Sequence, residues 1–466
     1  MLRFYNSLGR RLEPFVPIKE GEVKMYTCGP TVWNYAHIGN FRTFVFEDVL
    51  RRYLEFKGFK VTHVMNITDV EDKIIKGIRE SGRSLKELTS FYESAFMEDV
   101  ESLGVKRAAV YPRATEHIKE MVDLVKVLSE RGYAYRGGDG SVYFEVSRFK
   151  PYGALSGVKL GEVRSTGRVA SDHYEEKAEA VDFALWKAWD QADGEVFWET
   201  ELGKGRPGWH VECSAMSMKY LGESFDIHTG GMDNRFPHHE NEIAQSEAAT
   251  GRKFVNYWLH SEFLSISGEE MHKSKGNFVS LRDLSRAGWE PSTVRLFLIS
   301  ARYRDAIDLN DAALRQARAR RERLQEFASR LAAYDGGERG GEGTAEGLLE
   351  EFSAAMDDDL NTPGALAALS ASAKRANSMM DERSLGSGAA AALLEALKRA
   401  DGVLGVLAFA EEELPHELAL VVARREEARR KGDFKAADKL RDELLAKGLV
   451  LEDTPSGTRW KRVARG

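Results

Sequence analysis

The chain has 466 residues and a formal net charge of −7, which allows about three domains at roughly 150 residues each and argues against a generic polyanion binder. Although 42% of its residues are hydrophobic, no apolar run approaches the ~20 residues of a membrane helix, and the start, "MLRFYNSLGR", has no apolar signal-peptide core. We therefore expect a cytoplasmic protein with no membrane attachment. Its two cysteines, Cys28 and Cys213, are too few for a disulfide framework. Each is either a buried thiol or a metal ligand beside a polar cluster.

In chain order, "VKMYTC" reads as a strand, "NFRTFVFEDVLRRYLEFKGF" as a helix ending at Gly58, and "KVTHVMNIT" as the next strand. Strand–helix–strand at this spacing is a βαβ unit of a parallel sheet. "SLKELTSFYESAFMEDVESLGV" is a further helix. Residues 111–200 differ in character. "YAYRGGDGSVYFEVSRF" has the form of a β-hairpin with a Gly-rich turn, and the polar "RSTGRVASDHYEEKAEAVDFALWKAWD" ends in aromatics. This segment is expected to interrupt a βα domain over 1–110 and 201–285. The connection 286–312 leads into "DAALRQARARRERLQEFASRLAAY", one long amphipathic helix. The loop "DGGERGGEGTAEG" (335–347) and two more helical stretches complete an α-helical region over 313–410. "EEELP" (411–415) marks a boundary before a small domain at 416–466. From Leu418 to Gly466, 13 Lys and Arg stand against 8 Asp and Glu, a basic end that suits local contact with nucleic acid.

Three clusters carry chemistry. "HIGN", His37 to Asn40, follows the first strand and opens a helix. Gly39 admits close approach to the backbone, and a helix start favours phosphate; the plainer reading is a turn histidine capping a helix. "MHKSKGN", Met271 to Asn277, is either an exposed polar loop or a Lys-rich segment able to hold a charged transition state. "RFPHHENEIAQS" places His238, His239, Glu240 and Glu242 together, as a solvated helix start or as half of a metal site.

Together, a His-Ile-Gly motif after the first strand and a Met-x-Lys-Ser loop after the last resemble the signature pair of class I aminoacyl-tRNA synthetases. "HIGN" stands in place of HIGH and "EMHKS" (270–274) in place of KMSKS, so Asn40, Glu270 and His272 depart from consensus. "MYTCGPTVWNYAHIGN", "NITDVEDKII", "RPGWHVECSAM", "FDIHTGGMDNRFPHHENEIAQS", "MDDDLNTPGAL" and "KGDFKAADKLRDELLAKGLVLEDTPSGTRW" closely resemble the cysteinyl-tRNA synthetase family, nearly end to end.

The resemblance implies a Rossmann-like α/β catalytic domain with an inserted connective domain, then an all-α helical bundle and a small C-terminal α+β anticodon-binding domain. It implies one Zn²⁺ held by Cys28, Cys213, His238 and Glu242, with His239 and Glu240 behind the site or at the surface. The ligand types suit zinc, and the four-residue spacing of His238 and Glu242 puts them on one face of a helix. The metal would bind the thiolate of substrate L-cysteine and so reject serine. An apolar pocket separates such near-isosteres by only about 10²-fold, whereas soft thiolate is preferred by zinc. The resemblance further assigns ATP, with Mg²⁺, to His37, Gly39, Asn40, His272, Lys273 and Ser274. It assigns the amino acid or adenylate to Thr68, Trp209, His228 and Asp233, and tRNA(Cys) to Arg424, Arg425, Arg429, Arg430 and Trp460. For Trp209, core packing is an equal reading of the residue itself. The family is mostly monomeric. A ligase joining cysteine to an amino-sugar pseudodisaccharide shares this core but lacks the full C-terminal end, and a tRNA- or zinc-binding protein without activity is the reading from another class.

Overall fold

The computed structural model describes residues 1–159, 181–270, 278–409, 416–447, 449–454 and 457–462. The chain divides into two compact units, one formed by 1–282 and 291–407, the other by 283–290 and 408–466.

The centre of the large unit is a four-stranded parallel sheet. Its strand order is Val255–Ser261, Phe225–Gly231, Glu22–Thr27, Lys60–Met65, every neighbouring pair parallel. Strands buried on both faces carry near-continuous apolar runs, as "EVKMYT" does with Val23, Met25 and Tyr26 fully buried. The first crossover is the helix Ile38–Phe56, whose apolar residues bury most of its circumference. The two inner strands, Glu22–Thr27 and Phe225–Gly231, leave the sheet edge in the crevice where strand order reverses. Ligands bind at that switch point in open α/β sheets.

Between the two halves of the sheet lies an entirely antiparallel five-stranded sheet, ordered Ala134–Arg136, Val142–Phe144, Phe183–Ala188, Gly203–Pro207, Trp198–Thr200. The expected hairpin is its first pair, and the sheet continues to Pro207, past residue 200. After the parallel sheet come the 22-residue helix Asp311–Ala332 and three further helices, Thr344–Asp357, Thr362–Asp381 and Ser387–Leu404. Three helices therefore stand where two were expected. The break between the first two is a tight turn in which Asp359 and Leu360 adopt left-handed backbone (φ 58° and 52°). No glycine signals this turn. It is held by tertiary contacts, Asp359 accepting from Tyr5 N and Tyr303 Oη at 2.7 Å each and pairing with Arg304.

In the small unit, the helices His416–Arg430 and Phe434–Ala446 precede an antiparallel hairpin, Leu449–Thr454 with Gly457–Arg462. Leu444, Leu449 and Leu451 form its core, with Trp460 packed against them. Among the described residues no helix is long and apolar enough to cross a membrane.

Candidate active site and metal centre

Cys28 lies one residue beyond the strand Glu22–Thr27, and its N–H still donates to Thr229 O (3.2 Å) on the neighbouring strand. Gly29 follows because a Cβ there would fall 1.7 Å from the Asn66 carbonyl oxygen. The thiol is thereby fixed at the carboxyl edge of the sheet. Cys213 comes from the helix Trp209–Leu221. That helix starts at Gly208, where a Cβ would sit 2.0 Å from the Ala184 carbonyl oxygen. His238 belongs to a wide turn over Arg235–His239, and Glu242 to the first turn of the helix Glu240–Thr250.

The fold brings these four residues together. One ligand atom from each of Cys28, Cys213, His238 and Glu242 lies within 4.8 Å of all the others. The two Sγ atoms are 4.0 Å apart, and His238 Nε2 is 3.1 Å from Glu242 Oε1. A second set overlaps the first: Cys28, His228, His239 and Glu242 meet the same criterion. His239 Nε2 lies 3.2 Å from Cys28 Sγ, and His228 Nε2 lies 3.0 Å from Glu242 Oε2.

Further histidines tie the cluster down from behind. His210 Nδ1 meets His238 Nδ1 at 2.9 Å. His260 Nε2 meets His239 Nδ1 at 2.8 Å and is itself bonded through Nδ1 to Ser7 Oγ at 2.7 Å. Burial pushes His238 and His260 down to about 3 and His239 well below its ordinary range, so these rings are neutral imidazoles, the form that ligates metal. Burial raises both thiols, Cys28 strongly. Two thiols, neutral imidazole and carboxylate, largely buried with Cys28 at the cleft wall, form a donor set that a divalent cation fits: such an ion would offset their burial and favour the thiolates. His210 and His260 were absent from the sequence expectation. The sequence carried no signal for either; His210 stands in the first turn of the helix Trp209–Leu221 and His260 near the end of the strand Val255–Ser261.

The cluster borders a cleft of about 700 Å³ along the carboxyl ends of the parallel strands. His37, Gly39, Asn40, Trp209 and Asp233 line it. His37 and Asn40 form a reciprocal cap on the helix Ile38–Phe56: His37 Nδ1 accepts from Asn40 N (3.2 Å), and Asn40 Oδ1 accepts from His37 N (3.1 Å). This capping box gives Asn40 a structural reason of its own. Trp209 is 37% exposed and stacks on the His238 ring at 4.4 Å and 27°, so it is a wall of the site and not core packing.

Two of the expected lining residues stand elsewhere. Thr68 is buried below the cleft, where its hydroxyl donates to Glu212 Oε2 (3.2 Å) and accepts from Asn66 Nδ2 (3.1 Å). His228 is fully buried behind Glu242, stacked on Trp258 at 4.6 Å. Neither His239 nor Glu240 is at the surface. Glu240 is buried and accepts from the N–H groups of Gly153 and Ser156 at 2.8 and 2.7 Å. His272, Lys273 and Ser274 fall outside the described residues, as does most of the KMSKS-like stretch. The chain is described again from Phe278, whose ring meets His37 edge-on at 5.6 Å.

In the small unit Arg424 and Arg429 are exposed on the helix His416–Arg430, whereas Arg425 is buried. The Arg430 side chain lies outside the described residues, and Trp460 is half-buried against the leucine core.

Comparison with known proteins resolves what this site belongs to. The model of the class I (C) tRNA synthetase catalytic domain matches residues 14–319, and that of the DALR domain matches residues 351–408. The cysteinyl-tRNA ligase anticodon-binding domain matches residues 411–460. The cysteine–tRNA ligase of Chlamydia muridarum is 46% identical over 99% of this chain and 100% of its own length, and that of Geobacillus thermodenitrificans is 44% identical over 99% of each. This chain belongs to the cysteine–tRNA ligase family. It activates L-cysteine with ATP and transfers it to tRNA. The anticodon-binding match at the C-terminal end separates it from the pseudodisaccharide ligase. Solved structures share the fold at lower identity. Mycobacterium tuberculosis methionyl-tRNA synthetase with methionyl-adenylate superposes with a TM-score of 0.60 at 17% identity, over 83% of this chain and 90% of that one. A leucyl-tRNA synthetase of Agrobacterium radiobacter in a ternary complex with tRNA gives 0.59 at 10%, over 84% of each.

Proposed function

We propose that the enzyme selects cysteine through one zinc ion held by Cys28, Cys213, His238 and Glu242. The supporting observation is the convergence of these four ligand atoms within 4.8 Å at the edge of the cleft. Bound there, zinc supplies a soft Lewis acid that takes a substrate thiolate far more readily than an alcohol, so no separate editing activity is required. The set with two sulfurs is favoured over the overlapping one because soft ligands suit zinc and because His228 and His239 then act as donors to Glu242 and Cys28, orienting them. The two sets make different predictions. Cys213→Ser or His238→Ala should abolish zinc binding, while His228→Ala should weaken it by about 10–100-fold; metal analysis showing the reverse order would overturn this assignment.

The protein's own groups position the reactants. Asp233 and Trp209 flank the amino acid, and His37, Gly39 and Asn40 present the helix start to the ATP phosphates, with Mg²⁺ accompanying the nucleotide. The substrate carboxylate oxygen bonds to the α-phosphorus as pyrophosphate leaves, and Lys273, with His272 and Ser274, meets the charge that builds on the phosphates. A hydroxyl of the terminal ribose then displaces AMP from the acyl carbon. Thr68 acts from beneath, through its bond to Glu212. In the small unit, Arg424, Arg429, Arg430 and half-exposed Trp460 contact the anticodon loop of tRNA(Cys) by charge and stacking, and buried Arg425 supports their helix. For the domain limits we keep the expected ones as a proposal, with the connective insertion extended to Pro207. A cytoplasmic monomer is the form in which we expect the enzyme to act.

A further inference from the structure

Tyr26 stands two residues before Cys28 at the end of the strand Glu22–Thr27. Extended backbone continues to Cys28, whose N–H still donates to Thr229 O, so the two side chains lie on one face of the sheet. Tyr26 is fully buried, and its hydroxyl has no hydrogen-bond partner. The register sets it opposite His228, and the two rings meet edge-on at 5.0 Å and 67°. His228 in turn is bonded to Glu242. Cys213, from the helix Trp209–Leu221, packs in the same buried cluster as Tyr26 and Cys28.

A buried hydroxyl without a partner is costly, and native folds seldom leave one without a use. Burial first, and then the sulfurs of Cys213 and Cys28 and the Glu242 carboxylate, push the Tyr26 phenol well above its ordinary value. It therefore keeps its proton and acts towards these groups only as a donor. A neutral thiol is a weak acceptor, and the hydroxyl falls short of a hydrogen bond to either sulfur. A thiolate accepts strongly.

We propose that Tyr26 is a positioning residue of the metal centre, its hydroxyl donating to the Cys213 sulfur once that sulfur binds the ion and its proton leaves to solvent. The inference rests on the reading of Cys28, Cys213, His238 and Glu242 as metal ligands. Two thiolates and a carboxylate bring more negative charge than a divalent ion neutralises. A donor on one sulfur draws part of that charge back, so the ion retains affinity for a further thiolate, that of the substrate. The same hydroxyl thus destabilises the metal-free protein and stabilises the loaded one.

The test uses the full chain, metal-free and loaded with Co²⁺ as a coloured stand-in for zinc. The variant is Tyr26→Phe, which deletes the hydroxyl and keeps the ring. Its Co²⁺ affinity should fall about tenfold, the low end for a group behind a ligand. The sulfur-to-cobalt charge-transfer band should move to longer wavelength, because a sulfur without that hydrogen bond gives up charge more easily. The metal-free variant should melt at the same temperature as wild type or higher, since an unpaired buried hydroxyl is gone. A merely structural tyrosine would lower stability and leave the band in place. Unchanged band and affinity, or a metal-free variant that melts well below wild type, would overturn the proposal. Thr27→Val is the control: Thr27 points to the opposite face of the strand, bonded to His63 Nε2 at 2.9 Å, and its loss should leave the band unmoved. An equal shift in both variants would mark a general disturbance of the strand and contradict the assignment. Wild-type protein that takes up no Co²⁺ or Zn²⁺ would instead refute the reading of the metal site itself.

Discussion

At the carboxyl edge of the parallel sheet the buried groups are thiols, imidazoles and carboxylates: Cys28, Cys213, His228, His238, His239, Glu242 and His260. In the four helices from Asp311 to Leu404 they are almost all apolar, among them Leu348, Phe352, Leu369, Leu393 and Leu397, each at 0% exposure. Both regions are densely packed, yet only the second gains stability from what it buries. Polar groups at the sheet edge are held by one another and, on the proposed function, by a metal ion. They should therefore respond to substitution mainly in metal binding and activity, and the helices mainly in stability.

The sharpest test is Cys213→Ser, which should cost two or more orders of magnitude in zinc affinity, beyond the ~10–100-fold typical of a partner behind a ligand, and cysteine activation with it, while the melting temperature of the metal-free protein changes little. Leu393→Ala should show the opposite pattern. A loss of about 2–5 kcal/mol in unfolding free energy is expected, with zinc content and the preference for cysteine intact. His210→Ala should reduce zinc affinity by about 10–100-fold, since His210 orients His238 through Nδ1; unchanged affinity would remove that ring from the account.

The smallest effect concerns Glu47, which is fully buried, accepts from Thr229 Oγ1 at 2.7 Å and has no bond to Oε2. Burial pushes this carboxyl up from 4.5 to about 8. The folded state thus holds a proton that the unfolded state releases above its ordinary value. The contribution of Glu47 to stability is full below about 4.5 and falls as pH rises towards about 8. Glu47→Gln should flatten that fall, raising the melting temperature by a few degrees at pH 8 and hardly at all at pH 5. An equal rise at both pH values would show that the carboxyl does not titrate as described.

Much of this was readable in advance where one local rule dominates. The helix over Ile38–Phe56, the strands "VKMYTC" and "KVTHVMNIT" and the hairpin around "RGGDG" announce themselves by periodicity and turn residues. The pairing of Cys28 with His238 and Glu242 was reached through family resemblance, because nothing local links residues some 200 positions apart. The remainder depends on tertiary contact. Arg425 looks like its neighbours in a basic run but faces inward, and Thr68 is drawn down to Glu212. The turn at Asp359 and Leu360 is imposed by Tyr5, Tyr303 and Arg304 without a glycine to mark it. His210 and His260 acquire meaning only once a helix start and a strand end set them behind His238 and His239.

The central claim, that a metal at this cluster selects the amino acid, is tested most directly by ATP–pyrophosphate exchange with cysteine and with serine. The assay is run on one preparation, as isolated, after chelation and after zinc is restored. The account predicts about one zinc per chain and a preference for cysteine well beyond the ~10²-fold limit of an apolar pocket. It also predicts loss of cysteine exchange on chelation and recovery with zinc. Chelated enzyme that keeps both its rate and its preference, or zinc-loaded enzyme that activates serine nearly as well as cysteine, would contradict it.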